Sequence, residues 1–367
     1  MKVSQKDLAF MEMAYSLAEK AKGGTSPNPC VGAVIVKDGK IVGYGYHQEA
    51  GQPHAEIIAL EKAGSKVRGA TLYLTLEPCI HWGRTPPCVG RLVNAGLKRV
   101  IISSYDPNPI VYQKGVARLR EARIEVVTGV LAEKNEILNE TYNKYIVSKI
   151  PFVCLKVALS LDGKTAAASG DSHWISSKES REFVQHLRAE YDAVLVGINT
   201  VLKDDPLLTV RLPGVAKKRW TRVILDSELR FPLEARMLEK PEDGKIIIFS
   251  GKEALPPKAE ALRQKGVEVV QVKSRHGQID LKAALRELGQ REITSVLVEG
   301  GAHVFTSFIE QKLADKAFFF ISPKLVGGEK ALTPYEGKGV ASISEALSLK
   351  KVRHFSLKDD IIIEGYF

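Results

Sequence analysis

Four side chains in the first quarter of the chain have the types and spacing for metal-assisted hydrolysis. His54 and Glu56 flank Ala55, Cys79 follows Pro78, and Cys88 closes the interval that begins at Ile80. One imidazole and two thiolates leave the fourth tetrahedral position of Zn²⁺ open to water, as in catalytic rather than closed structural sites. An ion held this way lowers the pKa of its water by several units, so hydroxide becomes available near neutral pH. Glu56 is then the proton carrier. Residues two apart diverge on a regular helix, so His54 and Glu56 must use an irregular first turn to reach one cavity. Taken singly, each residue has a plainer reading: a loop histidine, a first-turn acid and two small core residues. Taken together, with Pro78 and a strand-to-helix context, they favour a metal site. Cys30 and Cys154 lie inside apolar runs and read as packing residues.

The elements that must position this set are legible from periodicity. Ser4 with Asp7 three residues on forms a capping box, and Leu8, Met11, Tyr15 and Ala18 share one helical face until Gly23-Gly24. Runs at 31–36 and 41–46 about Asp38-Gly39 predict a β-hairpin. A helix from Ala55, a strand at 71–76, a helix after Cys88, a strand at 99–103, a helix near 115–122 and a strand at 124–127 follow. A polar helical stretch covers 132–148. Ile150-Pro151 then marks a boundary near residue 150, because proline disfavours helix in the residue before it. Beyond it the alternation resumes, with strands at 152–157, 193–196, 222–225, 245–249, 267–272 and 295–298. Helices are predicted at 178–190, 257–265, 281–288 and 303–311. This order predicts two α/β layered domains, 1–149 and 150–367.

Composition bounds the function class. The chain has 367 residues, 44% hydrophobic and 26% charged, which suits about two globular domains and argues against disorder or coiled coil. A net charge of +10 fits anionic partners such as phosphorylated metabolites or nucleic acid without choosing between them. No run approaches the ~18 apolar residues of a membrane span, and Ala317 to Ile321 has the length of a buried strand. The charged opening lacks a signal-peptide pattern, and four scattered cysteines do not make a disulfide framework, so a cytoplasmic location is expected.

In the second half no G-x-G-x-x-G follows a strand, so a Rossmann fingerprint is missing. Residues 296–302 run from a buried strand into Gly300-Gly301 and a helix, which would offer free amides to a phosphate. A tight turn without a ligand explains the two glycines equally well.

His54-Ala55-Glu56, the 79–88 interval containing Ile80-His81-Trp82-Gly83-Arg84-Thr85-Pro86-Pro87, Asp106-Pro107-Asn108-Pro109 and the opening Ser26-Pro27-Asn28-Pro29 resemble the bifunctional riboflavin-biosynthesis deaminase-reductases. In zinc deaminases the glutamate is the general acid–base and not a ligand. Ser160-Leu161-Asp162-Gly163, Ser172-His173-Trp174-Ile175, Asn199-Thr200-Val201-Leu202 and Asp204-Asp205-Pro206 extend the resemblance across nearly the whole chain. It departs at Trp82, where Tyr is common, and at Tyr112-Gln113, which replaces a small glycine-containing pair.

The resemblance implies a cytidine-deaminase-like three-layer domain followed by a dihydrofolate-reductase-like domain, with Zn²⁺ on His54, Cys79 and Cys88, Glu56 as catalytic residue, and NADPH as second cofactor. It implies that Asn28, His81, Arg84 and Asn108 meet the deaminase substrate. Ser172, Arg188, Leu208, Arg211 and Glu299 would hold the reductase substrate. Ala158, Trp174, Thr200, Asp204, Ser227 and the segment Gly301, Ala302, His303, Val304, Phe305, Thr306 and Ser307 would meet the cofactor. Lys156, Asp204 and Glu299 are candidate proton donors. The expected partner is a small phosphorylated pyrimidine, in a homo-oligomer without nucleic acid or membrane. Two other readings stay open at this point: a tRNA or single-stranded DNA deaminase whose second half is a binding module, and a zinc-stabilised scaffold.

Overall fold

The computed structural model describes residues 3–84, 86–212, 220–251, 256–275 and 277–367. Thr85, one residue of the 79–88 interval, lies outside them. The chain divides into two units, Met1–Lys149 and Ile150–Phe367.

The first unit runs α1 (Gln5–Ala18), β1 (Gly32–Lys37), β2 (Lys40–Tyr46), α2 (Ala55–Ala63), β3 (Thr71–Leu76), α3 (Cys88–Asn94), β4 (Arg99–Ser104), α4 (Lys114–Glu121), β5 (Glu125–Thr128), α5 (Ala132–Leu138) and α6 (Glu140–Ser148). The Ser4/Asp7 capping box forms at the start of α1. The sheet has the order β2-β1-β3-β4-β5, with β1 antiparallel to both neighbours and β3, β4 and β5 parallel. Strand alternation sends Val34, Tyr73 and Ile101 toward Met11, Ala14 and Tyr15 of α1. Ala33, Leu72, Leu74, Val100 and Ile102 face α2, α3 and α4 on the other side, which gives three layers.

The expected helical stretch 132–148 is two helices. Asn139 separates them, and its buried side chain accepts from the Cys30 N–H (2.7 Å) and donates to the Cys30 carbonyl (3.0 Å). A side chain committed to those bonds fixes the chain there, and the apolar periodicity gives no sign of it.

The second unit runs β6 (Phe152–Ser160), α7 (Lys178–Glu190), β7 (Ala193–Gly197), α8 (Ile198–Asp204), β8 (Trp220–Leu225), β9 (Gly244–Ser250), α9 (Pro256–Gln264), β10 (Val267–Gln271), β11 (Ser274–Arg275), β12 (Gln278–Ile279), α10 (Leu281–Gln290), β13 (Ser295–Gly300), α11 (Ala302–Glu310), β14 (Lys316–Ser322), β15 (Lys350–Leu357) and β16 (Asp360–Tyr366). The main sheet has the order β10-β9-β8-β7-β13-β6-β14-β16-β15, parallel from β10 to β14 with an antiparallel β16-β15 edge. Its central strands are apolar on both faces because helices cover both. Leu195, Val223 and Ile247 pack with α10 and α11, while Val194, Ile224 and Ile248 pack with α8 and α9. The sequence reading contains neither α8 nor the β15–β16 hairpin. α8 is only seven residues long, and β15 is exposed along most of its length, with Phe355 and Leu357 alone partly buried against the core, so neither shows an extended apolar pattern.

Close helix–strand contact in the first unit depends on glycine. A Cβ on Gly32 of β1 would stand 1.9 Å from the Ala14 carbonyl oxygen of α1. Gly32→Ala is therefore expected to destabilise the first unit by about 1–3 kcal/mol or more in urea denaturation, because a backbone atom cannot step aside. Gly90→Ala, on α3 with nothing near its added Cβ, should be neutral or gain up to ~1 kcal/mol. Equal effects of the two substitutions would contradict this packing.

Candidate functional site

Two helix starts and one strand end meet in the first unit. His54 is the N-cap of α2 with extended backbone (φ −72°, ψ 159°), while Glu56 is already helical. That break in geometry lets two residues that would diverge on a helix point into one cavity. Cys79 follows β3, and Cys88 is the first residue of α3 after Pro87. The imidazole Nδ1 of His54 stands 3.6 Å from Cys79 Sγ and 3.1 Å from Cys88 Sγ, and the three donor atoms all lie within 4.8 Å of one another. The edges of a zinc tetrahedron with Zn–S near ~2.3 Å and Zn–N near ~2.0 Å are roughly 3.5–3.8 Å, so this donor set fits such an ion.

The electrostatics suit that role. The hydrogen bond with Cys88, helped by His54 and the Cys88 N–H (3.3 Å), lowers the Cys79 thiol and favours its thiolate. The hydrogen bond with Cys79 raises His54. Glu56 is buried, hydrogen-bonds Cys88, and is pushed above the ordinary carboxylate range by burial. A carboxyl raised in this way exchanges a proton more readily near neutral pH.

Around the triad, Asn28 donates from Nδ2 to His47 Nε2 (3.0 Å). The Pro53 carbonyl only accepts, so His47 Nδ1 (3.2 Å) carries the ring proton and Nε2 receives the Asn28 amide. Burial lowers the His47 pKa and keeps the ring neutral, and it meets His54 edge-on with centroids 5.1 Å apart. The sequence reading missed His47; only its place shortly after the β2 run set it apart. His81 is half-buried, and its Nδ1 finds no hydrogen-bond partner among the described residues. Arg84 and Trp82 are exposed. Asn108 lies in a loop whose backbone is tied down: its N–H donates to Asp106 Oδ1 (2.9 Å), which also accepts the Tyr142 hydroxyl (2.9 Å).

In the second unit, Ala158 lies near the end of β6, Thr200 and Asp204 lie on α8 after β7, Ser227 follows β8, and Gly301 follows β13. These are the carboxyl ends of adjacent parallel strands, where open α/β sheets receive ligands. Gly301 has φ +90°, a left-handed conformation that favours glycine, and leads into α11. Ala302, the partly buried Val304 and Ser307 lie on α11, whereas Phe305 is buried in the core, so its side chain is withheld from a ligand. His303 pairs with Glu336 (3.0 Å), and Thr306 Oγ1 accepts the Glu336 N–H (2.9 Å). Trp174 is exposed in a left-handed conformation (φ +63°), with the Arg181 guanidinium 4.1 Å from its ring centre. Ser172 is half-buried, Arg211 is exposed, and Leu208 is buried.

The Arg188 guanidinium is engaged within the protein. Its fork is held by Glu299, Nε to Oε1 at 2.5 Å and Nη2 to Oε2 at 2.8 Å, and Nη1 donates to the Thr209 carbonyl (3.1 Å). Burial would raise Glu299, but Arg188 and then Lys156 bring it below its ordinary range, and burial lowers Lys156. The three form one buried charge cluster on β6, α7 and β13.

Comparisons with known proteins agree with both halves. Residues 4–104 match the family model of the cytidine and deoxycytidylate deaminase zinc-binding region, and 151–363 match the RibD C-terminal domain. The riboflavin biosynthesis protein RibD of Aquifex aeolicus is 47% identical over 357 residues, covering 97% of each chain, and that of Escherichia coli is 39% identical over 360. The Acinetobacter baumannii RibD structure (form 1) superposes with a TM-score of 0.89 at 39% identity and 99% coverage of both chains. A Thermotoga maritima structure described as a diaminohydroxyphosphoribosylaminopyrimidine deaminase/5-amino-6-(5-phosphoribosylamino)uracil reductase gives 0.86 at 40% identity and 98% coverage of both.

A zinc-deaminase region followed in one chain by a reductase domain defines a bifunctional α/β enzyme. The chain belongs to the RibD family, whose deaminase and reductase domains serve riboflavin biosynthesis. That assignment replaces the nucleic-acid alternative, because residues 151–363, read there as a binding module, match the RibD C-terminal domain. Among the described residues no helix is long and apolar enough to cross a membrane.

Two outcomes follow from the buried charges. Glu299→Gln leaves Arg188 and Lys156 without their carboxylate and should cost the second unit roughly 3–5 kcal/mol in urea denaturation; a loss under ~1 kcal/mol would contradict the cluster. Asp106 is raised by burial to about 6 from 3.8, so the folded form holds its proton more tightly than the unfolded form. Stability is unaffected below about pH 4 and is lost as pH rises toward 6, by on the order of 3 kcal/mol. Asp106→Asn keeps the Oδ1 acceptor and should flatten that part of the stability–pH curve; an unchanged slope would refute the assignment.

Proposed function

We propose that residues 1–149 form a zinc-dependent deaminase that hydrolyses the 2-amino group of 2,5-diamino-6-(5-phosphoribosylamino)pyrimidin-4(3H)-one. Residues 150–367 form an NADPH-dependent reductase that converts the deaminated ribosyl compound to 5-amino-6-(5-phosphoribitylamino)uracil. The observation that carries this reading is the His54, Cys79 and Cys88 donor set with the buried carboxyl of Glu56 beside it, in a chain whose relatives match it over nearly their full length.

His54, Cys79 and Cys88 would hold the zinc ion, which when bound supplies the Lewis acidity that makes water nucleophilic near neutral pH. Glu56 takes the proton from that water and returns it to the departing amine. Asn28 and Asn108 offer amide donors and acceptors suited to a pyrimidine edge, His81 would line the pocket, and Arg84 would meet the phosphate, for which a guanidinium fork is suited. In the second half the strand-end residues Ala158, Thr200, Asp204, Ser227 and Gly301, with Trp174 and the first turn of α11, would hold NADPH, which when bound would supply hydride. Ser172, Leu208, Arg211 and the Arg188–Glu299 pair orient the ribosyl chain, so that the protein's main contribution is alignment of the two reacting carbons.

A cytoplasmic homo-oligomer completes the proposal. Its support is the exposed edge strand β15 with Ile343, Leu347 and Val352 uncovered nearby.

Supplying the diaminopyrimidine should release ammonia, and removing zinc with a chelator should abolish that release. Glu56→Gln should keep its zinc and its NADPH oxidation on the deaminated intermediate while losing deamination by about 10²–10⁴-fold. Deamination within a few-fold of the unsubstituted enzyme, or ammonia release undiminished by chelation, would refute the site.

A further inference from the structure

Glu77 stands two residues before Cys79, is almost fully buried, and is used by none of the chemistry above. Its two oxygens take backbone N–H groups from a distant segment. Oε2 accepts from Asp106 (3.3 Å) and Gln113 (3.0 Å), and Oε1 accepts from Val116 (3.0 Å). One carboxylate thereby fixes both ends of the loop that carries Asn108 and the first turn of α4.

A second, independent contact joins the same two segments. A Cβ on Gly115 would stand 2.3 Å from the Pro78 carbonyl oxygen, so α4 lies directly against the peptide that leads into Cys79. Gln113, at the N-cap of α4, has φ +62°, a left-handed conformation that costs a non-glycine residue free energy. Its N–H is one of the three that Glu77 holds. From the far side, Tyr142 of α6 donates to Asp106, and its hydroxyl is raised by burial and then by the negative charges of Asp106 and Cys79. The loop is therefore held between Glu77 and Tyr142, close to the Cys79 sulfur.

We propose that Glu77 is a positioning residue of the deaminase site: it locks the 106–116 segment to the strand end that bears Cys79, so that the pyrimidine-reading Asn108 and the metal ligands keep a fixed separation. This role rests on the deaminase reading of the first unit. A lock of this kind acts on substrate placement more than on the metal, because the three ligand side chains keep their own element termini. Gln at position 77 keeps the size of the side chain but turns an amide N–H toward a backbone N–H, so at least one of the three bonds is lost.

The test compares the whole unsubstituted chain with Glu77→Gln, each loaded with zinc. The substitution should retain one zinc per chain, raise KM for the diaminopyrimidine about tenfold or more, change kcat by less than about threefold, and speed amide exchange at residues 106, 113 and 116 while α1 stays protected. Reduction of the deaminated intermediate by the same chain should be unchanged. Gly115→Ala, whose added Cβ would press on the Pro78 carbonyl oxygen (2.3 Å) and also come within 3.3 Å of Glu77 Oε1, should give the same KM shift. Faster exchange with an unchanged KM would overturn the proposal by showing that the lock does not serve the substrate. Loss of zinc in both variants would overturn it in favour of a purely structural role. An unsubstituted chain that releases no ammonia would refute the deaminase reading itself, and this role with it, and that control separates the two failures.

Discussion

Two thiols and an imidazole do not gather without cause. Each of the three is buried or half-buried, and hydrogen bonds from Cys88 and His54 favour the thiolate of Cys79, so the surroundings supply charge compensation as well as placement. The fold does this by ending elements at one point: the extended N-cap of α2, the end of β3 and the first residue of α3. The sheet order β2-β1-β3-β4-β5 places β3 in the middle, where both faces are covered and its end is held on either side. Most of the remaining architecture of the first unit can be understood as support for that meeting point. α1 clamps one face through Gly32, and Asn139 reaches across to hold the backbone at Cys30, just beyond the Ser26–Pro29 turn that carries Asn28.

The second unit handles charge differently. Glu299 at the end of β13 faces two cations, and none of the three can lose its partner cheaply, since a lone charge buried at a sheet centre has no water to turn to. A cluster of this kind is fixed in geometry yet polar.

Much of this was readable from the chain alone because the informative residues are local. The capping box at Ser4, the hairpin about Asp38-Gly39 and the apolar central strands each carry their signal within a few positions, and the structure contains them. Glu56 beside His54 and Cys88 was legible as a pattern, and the extended N-cap resolved how two residues so close in sequence share a cavity. What escaped was long-range. His47 joins Asn28 across nineteen positions and Glu77 reaches Val116 across thirty-nine, separations at which no periodicity speaks. A lone arginine on a helix face gives no sign that a carboxylate 111 residues away closes on the Arg188 fork. The edge strand β15 escaped for the opposite reason: only Phe355 and Leu357 turn toward the core, too short a run for a pattern to mark.

Each unit buries its own apolar clusters, Leu72, Leu74 and Ile102 in one and Leu195, Val223 and Phe249 in the other. Damage to either set therefore falls first on the half that contains it. For a cell carrying two defective copies of the gene, one impaired in each half, the two polypeptides together would still provide a complete route, provided the intermediate escapes the first catalyst and finds the second. Genetic complementation between such alleles is thus a direct reading of how hydrophobic side chains are partitioned along this sequence.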